Sequence, residues 1–387
     1  MVAVETAVKT MAMSTFLAEG SAFEGVKAFI NALCQPHWFL ILSVAALVVF
    51  LAGYRFFTQP KVAIPIGALC TFFFLASCFD PNFLLIVRKA DNVPIVMMMF
   101  ALAYLLWLGF RQAAVNDTNM ERGQPLIESG ADDKVLVWPD LVYSELIALV
   151  LMTAFLTVWA IVLSAPLEQP ADPNVAPNPA KAPWYFLGLQ EMLVYFDPWL
   201  AGVVLPGLII VGLVALPYID KNPRGNGYYT FKERPFAIAM FMFGFVILWV
   251  VLIIFGTFLR GPNWNFFGPY EYWDPHQPVA LVNVEAKDLF WVGIMNRPVP
   301  TENWGLIPHY LVRESAGIGL LALYFIGGPW LLKVLFFRNL YRQMGMIRFS
   351  VMVMLLLTML LMPIKMVLRW TMNLHYIVGI TEWFLNV

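Results

Sequence analysis

Long apolar runs separated by short polar stretches dominate this chain from residue 38 to residue 368. Each run approaches the roughly 20 residues that an α-helix needs to cross the hydrocarbon core of a bilayer. Run length and composition therefore predict about eight transmembrane helices, at 38–56, 62–79, 94–111, 141–164, 199–218, 235–259, 315–337 and 349–368. We expect an all-α, polytopic membrane protein.

The composition agrees with a protein that is embedded in a membrane. Hydrophobic residues make up 60% of the chain and charged residues 13%, with a mean hydropathy of +0.73, whereas a soluble domain carries about 25% charged residues. The net charge of −1 gives no general attraction to nucleic acid, so we expect none as a partner. The N-terminus lacks a basic segment followed by an apolar one, so the sequence predicts no cleaved signal peptide.

Basic residues are distributed unequally between the two sides that these spans define. The connections 55–61, 111–140, 219–234 and 338–348 hold about 12 Lys and Arg in roughly 64 residues, against about 10 in roughly 159 for the opposite set. Because basic loops stay in the cytoplasm, the first set is predicted to be cytoplasmic. Residues 165–198 and 260–314 would then face the positive, periplasmic side of a bacterial inner membrane.

Histidine and cysteine positions argue against a redox centre held by this chain. A transmembrane haem with two histidine ligands needs both of them at membrane depth, and no histidine lies well inside a predicted span. No cysteine pair has the spacing of a c-type haem or zinc site. The residues concerned are His37, His276, His309, His375, Cys34, Cys70 and Cys78. We therefore expect no metal ligands here, and any haem or iron–sulfur cluster would belong to partner subunits.

The connection between the fourth and fifth spans, residues 168–199, has the most distinctive pattern. Five prolines between Pro170 and Pro183 predict a stiff, extended first half. The apolar, aromatic run that follows, WYFLGLQEMLVYF, predicts a short helix lying at the membrane interface. An ordinary belt of interfacial aromatics is the alternative interpretation of this composition.

From about Trp138 to Pro262 the sequence resembles the C-terminal half of cytochrome b, which is the separate subunit IV of plastoquinol–plastocyanin reductases. The matching residues, in order, are Trp138-Pro139-Asp140-Leu141, Pro170-Ala171-Asp172-Pro173, Ala182-Pro183-Trp184-Tyr185-Phe186, Pro206, Pro217, Asn222-Pro223 and Arg234-Pro235. The resemblance implies that spans four to six are the family's helices E, F and G. It also implies that the connection after span four is on the positive side, where the basic residues independently predict it.

In that family the same connection carries Pro-Glu-Trp-Tyr and forms a wall of the quinol-oxidation site. The resemblance therefore implies that Pro183, Trp184, Tyr185 and Phe186 contact a quinone. A carboxylate in a water-poor pocket can accept a proton from quinol, because desolvation favours its neutral form. Here Ala182 and Pro183 stand at the family's Pro and Glu positions, so the usual carboxylate is missing.

Glu191 is our candidate for the missing catalytic carboxylate. It follows Trp184 by seven residues, about two helical turns, and so lies on the same helix face between apolar flanks. The alternative is a solvated surface carboxylate. Glu168 and Asp172 are weaker candidates in the Pro-rich segment. Glu145, at the cytoplasmic start of span four, would help to line a quinone-reduction site, or else is simply solvated.

The predicted organisation places the cytochrome b-like region between added helices. Its segments are an N-terminal interfacial segment (1–36), three extra spans (37–112), a cytoplasmic linker (113–137), the cytochrome b-like region (138–262), a positive-side loop (263–314) and two further spans with a tail (315–387). The aromatic-rich loop 260–314 is predicted to pack against a partner or the membrane surface, or else to fold as a self-packed lid.

Together these features predict a haem-free, cytochrome b C-terminal-like subunit of a quinol–cytochrome c oxidoreductase. The implied partners are a haem-b-bearing N-terminal cytochrome b subunit, a Rieske-type iron–sulfur protein and cytochrome c, with quinol as the substrate. Two alternatives remain open. One is a haem-free quinone-binding anchor of the polysulfide- or nitrite-reductase type, and the other is a transporter with a coincidentally similar loop.

Overall fold

The computed structural model of the chain describes residues 22–130, 135–162, 170, 172–174, 177–225, 227–276, 282–300, 306–383 and 385–387. Helices dominate these residues. Their β structure comprises two isolated bridges and one short antiparallel pair near the C-terminus, β1 (Gly379–Ile380) with β2 (Leu385–Asn386).

Seven helices of the described residues are long and apolar enough to cross a membrane. They are α4 (Pro60–Ser77), α6 (Asn92–Glu121), α7 (Val137–Val162), α9 (Leu200–Ile219), α10 (Pro235–Leu259), α13 (Ser315–Leu335) and α15 (Met346–Met372). The other α-helices are α1 (Ala22–Leu33), α2 (Pro36–Ala52), α3 (Tyr54–Phe57), α5 (Pro81–Arg88), α8 (Trp184–Met192), α11 (Ala286–Asp288, continuing as Leu289–Ile294), α12 (Leu306–Arg313) and α14 (Arg338–Met344). Short 3₁₀ helices lie at Ile127–Gly130, Pro262–Trp264 and Thr381–Trp383.

The predicted all-α, polytopic architecture is confirmed, and the seven spans fall where seven of the eight apolar runs predict them. The first predicted span differs. Helix α2 ends at Ala52 and is bent by 79° from α1, with only a short break between them. Counted as one broken span, this bent pair gives the eighth crossing. The short helix predicted after the fourth span is α8.

Helix α6 continues ten residues beyond its predicted end at 111, to Glu121. The extension is polar, but its inner face is buried, with Ala113, Ala114, Asn116 and Asp117 nearly inaccessible to solvent. Hydrophobicity alone does not predict this extension of nearly three helical turns, because polar side chains rather than apolar ones hold it in place.

The described contacts divide the chain into two compact units, one with residues 1–49, 178–223 and 239–387, and the other with residues 50–177 and 224–238. In the first unit, α15 supplies the core through Phe349, Val353 and Leu357. The side chain of Tyr324 in α13 packs against this core, and its hydroxyl donates a hydrogen bond of 2.7 Å to the carbonyl of Leu357.

A buried carboxylate, Asp117 of α6, organises the second unit. It accepts hydrogen bonds from the Tyr54 hydroxyl at 2.7 Å, the Thr230 hydroxyl at 2.5 Å, and the backbone N–H groups of Phe231 and Lys232 at 3.1 Å each. Since Asp117 is fully buried, these four donors replace the water that the carboxylate would otherwise bind. They fix the basic connection 227–234 to the end of α6.

Replacing Asp117 by Ala leaves two buried hydroxyls and two part-buried backbone N–H groups without their acceptor. We expect the free energy of unfolding to fall by about 3 kcal/mol, since each unsatisfied buried group costs about 1–3 kcal/mol. Chemical denaturation in detergent micelles measures this loss. Asp140→Ala is the matched control, because Asp140 is exposed at the start of α7 and its removal should cost less than about 1 kcal/mol. Equal losses in the two variants would contradict the anchoring role of Asp117.

Candidate functional site

Helix α8 packs its inner face against the second half of α10. Leu187, Gly188 and Glu191 are its buried residues, at the three- and four-residue spacing of one helical face. The two helices approach closely because Gly256 of α10 has no side chain, and a Cβ there would lie 3.1 Å from Leu187 Cδ2. This close packing positions Glu191 in the interior.

The carboxylate of Glu191 forms a buried, bidentate ion pair with Arg260, the residue that follows α10. Arg260 Nη2 lies 2.7 Å from Glu191 Oε1, and Arg260 Nε lies 3.0 Å from Oε2. The Tyr195 hydroxyl donates to Oε1 at 2.9 Å, and the indole N–H of Trp264 donates to Oε2 at 3.2 Å. Each carboxylate oxygen therefore has two donors, which fills its usual acceptor capacity.

Two partners of Glu191, Arg260 and Tyr195, are themselves buried. Arg260 Nη1 donates to the carbonyl oxygen of Trp264 at 2.6 Å, and the guanidinium carbon lies 3.6 Å from the centre of the Phe266 ring. Burial, and then the charge of Glu191, raise the pKa of Tyr195 well above its usual value. The Tyr195 hydroxyl therefore stays protonated and acts as a donor to the carboxylate.

Residues 180–182, at the end of the Pro-rich segment, contact both α8 and α10. The side chain of Gln190 donates to the carbonyl of Ala180 and accepts from the N–H of Ala182, both at 2.8 Å. Lys181 donates to the carbonyl of Thr257 in α10 at 2.7 Å. The segment leading into α8 is thus held both by α8 itself and by the end of α10.

The residues predicted to contact quinone are divided between the two faces of α8. Trp184 lies on the inner side and packs against Trp249 of α10, with ring centres 6.2 Å apart. Tyr185 and Phe186 are each 51% exposed on the other face, with their rings 4.7 Å apart, and Pro183 is also exposed. The structure therefore places Trp184 with Glu191, as the spacing predicts, and turns Tyr185 and Phe186 away from both.

The other candidate acids lie in different surroundings. The alternative of a solvated Glu191 is wrong, because this side chain is fully buried. Asp172 is exposed and accepts from the N–H of Asn174 at 2.8 Å, and Glu145 is exposed on α7. Glu168 lies outside the described residues. No role in quinone chemistry is tested by these placements, so the roles of all four acids stay predictions.

Sequence reasoning missed the partners of Glu191. Arg260 is 69 residues away along the chain, and no local spacing connects the two. The sequence contains one indication of such a partner. Arg260 ends a long apolar helix and is followed by aromatic residues, and a buried arginine needs a counter-charge. Which of the acidic residues provides that charge depends on the packing of α8 against α10.

Lys365 of α15 was also missed, although a basic residue inside the predicted span 349–368 is itself an indication of an unusual site. Its side chain is fully buried, and its ammonium nitrogen has no hydrogen-bond partner among the residues that the structure describes. The rings of Phe196 and Tyr376 lie beneath this nitrogen, with centres at 5.5 and 5.8 Å. These aromatic faces compensate part of the cost of burial.

The first part of the 260–314 loop packs against its own chain. Phe266 meets Phe255 of α10 and Trp370 of α15, and the ring centres of these three residues lie 5.6–6.2 Å apart. Phe267 is buried as well. Packing of the remaining loop against a partner or the membrane surface stays a prediction.

These helices and this buried site define a multi-pass helical membrane protein. Residues 170–270 match the family described as cytochrome b (C-terminal)/b6/petD. The chain therefore contains a region of the cytochrome b C-terminal type, and this region includes Glu191, Tyr195, Arg260 and Trp264.

A curated relative supports the same assignment. The chain is 30% identical over 111 residues to the menaquinol:cytochrome c reductase cytochrome c subunit of Geobacillus thermodenitrificans, covering 27% of this chain and 42% of that protein. The chain thus spans less than half the length of this relative. No solved structure matches the chain.

The variant Glu191→Gln leaves Arg260 buried without a counter-charge. We expect the free energy of unfolding to fall by about 3–5 kcal/mol, the usual cost of breaking a buried ion pair. Chemical denaturation in detergent micelles provides the measurement, with Glu145→Gln as the exposed control. Adding Arg260→Gln should recover a large part of the loss because no unpaired charge then remains. Identical behaviour of the Glu191 and Glu145 variants would show that the ion pair does not hold the fold.

Lys365→Met replaces an unpartnered buried ammonium by an apolar side chain of similar size. We expect the variant to be more stable by about 1–4 kcal/mol, as when other buried charges are replaced by apolar residues. Lys333→Met is the control. The ammonium group of Lys333 lies 3.7 Å from the ring centre of Tyr341, and the substitution removes this cation–π attraction. A loss of stability in Lys365→Met would mean that the ammonium group has a favourable partner.

Proposed function

We propose that the chain is a haem-free subunit of a bacterial quinol–cytochrome c oxidoreductase and forms part of its positive-side quinol-oxidation pocket. One observation carries the proposal: the segment that matches the cytochrome b C-terminal family, residues 170–270, contains the whole block of α8, the end of α10 and the Glu191–Arg260 pair. The name of the relative, which includes menaquinol and cytochrome c, supports quinol as the substrate class.

The redox groups of the proposed complex belong to other subunits. Haem b would be carried by an N-terminal cytochrome b subunit and the iron–sulfur cluster by a Rieske-type protein, with cytochrome c as the electron acceptor. The cytoplasmic membrane is the proposed location, with residues 165–198 on the periplasmic side, where the distribution of basic residues predicts them.

The outward face of α8 provides the proposed contact with quinone. Pro183, Tyr185 and Phe186 present an exposed surface rich in aromatic side chains, and such side chains commonly line ligand sites. Because these side chains are exposed in the isolated chain, we propose that a partner subunit forms the opposite wall. Trp184, packed against Trp249, supports this surface from behind.

We propose that Glu191 acts mainly as a positioning residue for this face. All four acceptor positions of its carboxylate are occupied by Arg260, Tyr195 and Trp264. The role first predicted for Glu191, that of the proton acceptor, requires one of these donors to leave before a quinol hydroxyl can approach. That role stays a prediction, and kinetic measurements separate it from positioning.

The pH dependence of Glu191→Gln distinguishes the two roles. For a positioning residue, we expect slower quinol oxidation by the purified complex and an unchanged pH profile, because no titrating group of the reaction is removed. Loss of a limb of the pH–rate profile would instead identify Glu191 as the proton acceptor. The control Glu145→Gln should alter neither the rate of quinol oxidation nor its pH–rate profile.

Shortening Tyr185 or Phe186 to Ala should weaken quinol binding. We expect the KM for quinol to rise about tenfold with a smaller change in kcat, since an aromatic contact contributes about 0.5–1.5 kcal/mol beyond its buried area. Steady-state reduction of cytochrome c by the purified complex measures this. Tyr218→Ala is the control, because Tyr218 is also exposed but lies at the far end of α9. An unchanged KM in both α8 variants would exclude this face as the quinone wall.

Purification of the chain from its native membrane tests the assignment as a whole. We expect a b-type haem protein and an iron–sulfur protein to accompany it, together with quinol-dependent reduction of cytochrome c. Iron–sulfur clusters without b-type haem would favour the polysulfide- or nitrite-reductase type of anchor. The absence of all redox groups would favour a transporter.

A further inference from the structure

A strongly basic cleft lies in the second unit, and its lining residues, between 55 and 122, precede in sequence the segment that matches cytochrome b. Its volume is about 600 Å³, and four cationic side chains line it: Arg55, Lys61, Arg111 and Arg122. One wall is the turn that joins α3 to α4. The other is the face of α6 on which residues 111, 115, 118 and 122 follow one another at helical spacing.

The positive charge of the cleft is only partly compensated. Arg55 forms a bidentate ion pair with Glu121, at 2.8 and 3.1 Å, and Glu121 also binds Lys232 at 2.6 Å. Among the residues that the structure describes, none that lines the cleft is acidic. Among the described residues, Lys61, Arg111 and Arg122 have neither an ion pair nor a side-chain hydrogen bond.

Apolar surfaces continue from the cleft along both of its walls. Ile64 on α4 and Leu105 and Leu108 on α6 are all exposed. The indole N–H of Trp107 donates to the carbonyl of Thr58 at 3.1 Å and so holds α6 against the turn between α3 and α4. The cleft is thus a charged recess at the end of two apolar helices, which suits a ligand with an anionic head and apolar chains.

We propose that this cleft binds the phosphate headgroup of an anionic phospholipid, with its acyl chains along α4 and α6. Guanidinium groups bind phosphate oxygens through paired hydrogen bonds, and basic pockets between transmembrane helices hold lipid headgroups on the cytoplasmic side. Residues 55–61 and 111–140 belong to the connections predicted to be cytoplasmic. The site does not involve the quinone chemistry proposed above, so either assignment can fail without the other.

The test compares two lipids on the protein purified in neutral detergent with its native partners. Native mass spectrometry counts the molecules of phosphatidylglycerol or phosphatidylcholine retained by this chain during a titration. We expect the wild type to bind phosphatidylglycerol in preference. The variant with Lys61→Gln, Arg111→Gln and Arg122→Gln should lose affinity on the order of 100-fold, from about fivefold for each cation near the membrane surface.

The matched control removes three exposed cations from other connections on the same side, through Lys221→Gln, Arg338→Gln and Arg342→Gln. It should bind phosphatidylglycerol as the wild type does. Equal losses in both triple variants, or equal retention of the two lipids by the wild type, would overturn the proposal. Displacement of the lipid by an equimolar amount of inorganic phosphate would assign the cleft to a soluble phosphate instead and would also overturn it.

Discussion

The ion pair between Glu191 and Arg260 is the interaction on which the cytochrome b-like part of this protein depends. In an apolar interior neither charge is tolerated alone, because desolvation of an ion costs several kcal/mol. The two charges must therefore be buried as a pair, and their two hydrogen bonds require α8 to lie against the end of α10. The stabilised arrangement is a specific orientation of α8, since a rotation of this helix would separate the charges.

This orientation has a consequence for the aromatic residues of α8. With Glu191 turned inward, helical geometry places Trp184 on the inner side and Tyr185 and Phe186 outside. The buried pair thus selects which rings are available to a ligand or partner.

The second unit uses the same physical principle with a different residue. Asp117 has no cationic partner within hydrogen-bonding distance of its carboxylate among the described residues, and hydroxyl and backbone N–H donors satisfy it instead. In both units a buried acid fixes a connection to the end of a helix. In the first unit the cation Arg260 is part of the cluster. In the second unit Lys61, Arg111 and Arg122 lie outside the Asp117 cluster and line the cleft.

The hydrophobic pattern determined the helical class and seven of the spans, because crossing a bilayer imposes a length and composition that each segment shows by itself. Local motifs likewise determined the cytochrome b-like region and the position of α8. The partner of Glu191, the burial of Lys365 and the cleft around Arg111 were decided only by the tertiary structure. Each of them joins residues that are distant along the chain, and whether a charge meets a counter-charge, an aromatic ring or open space depends on how the helices pack.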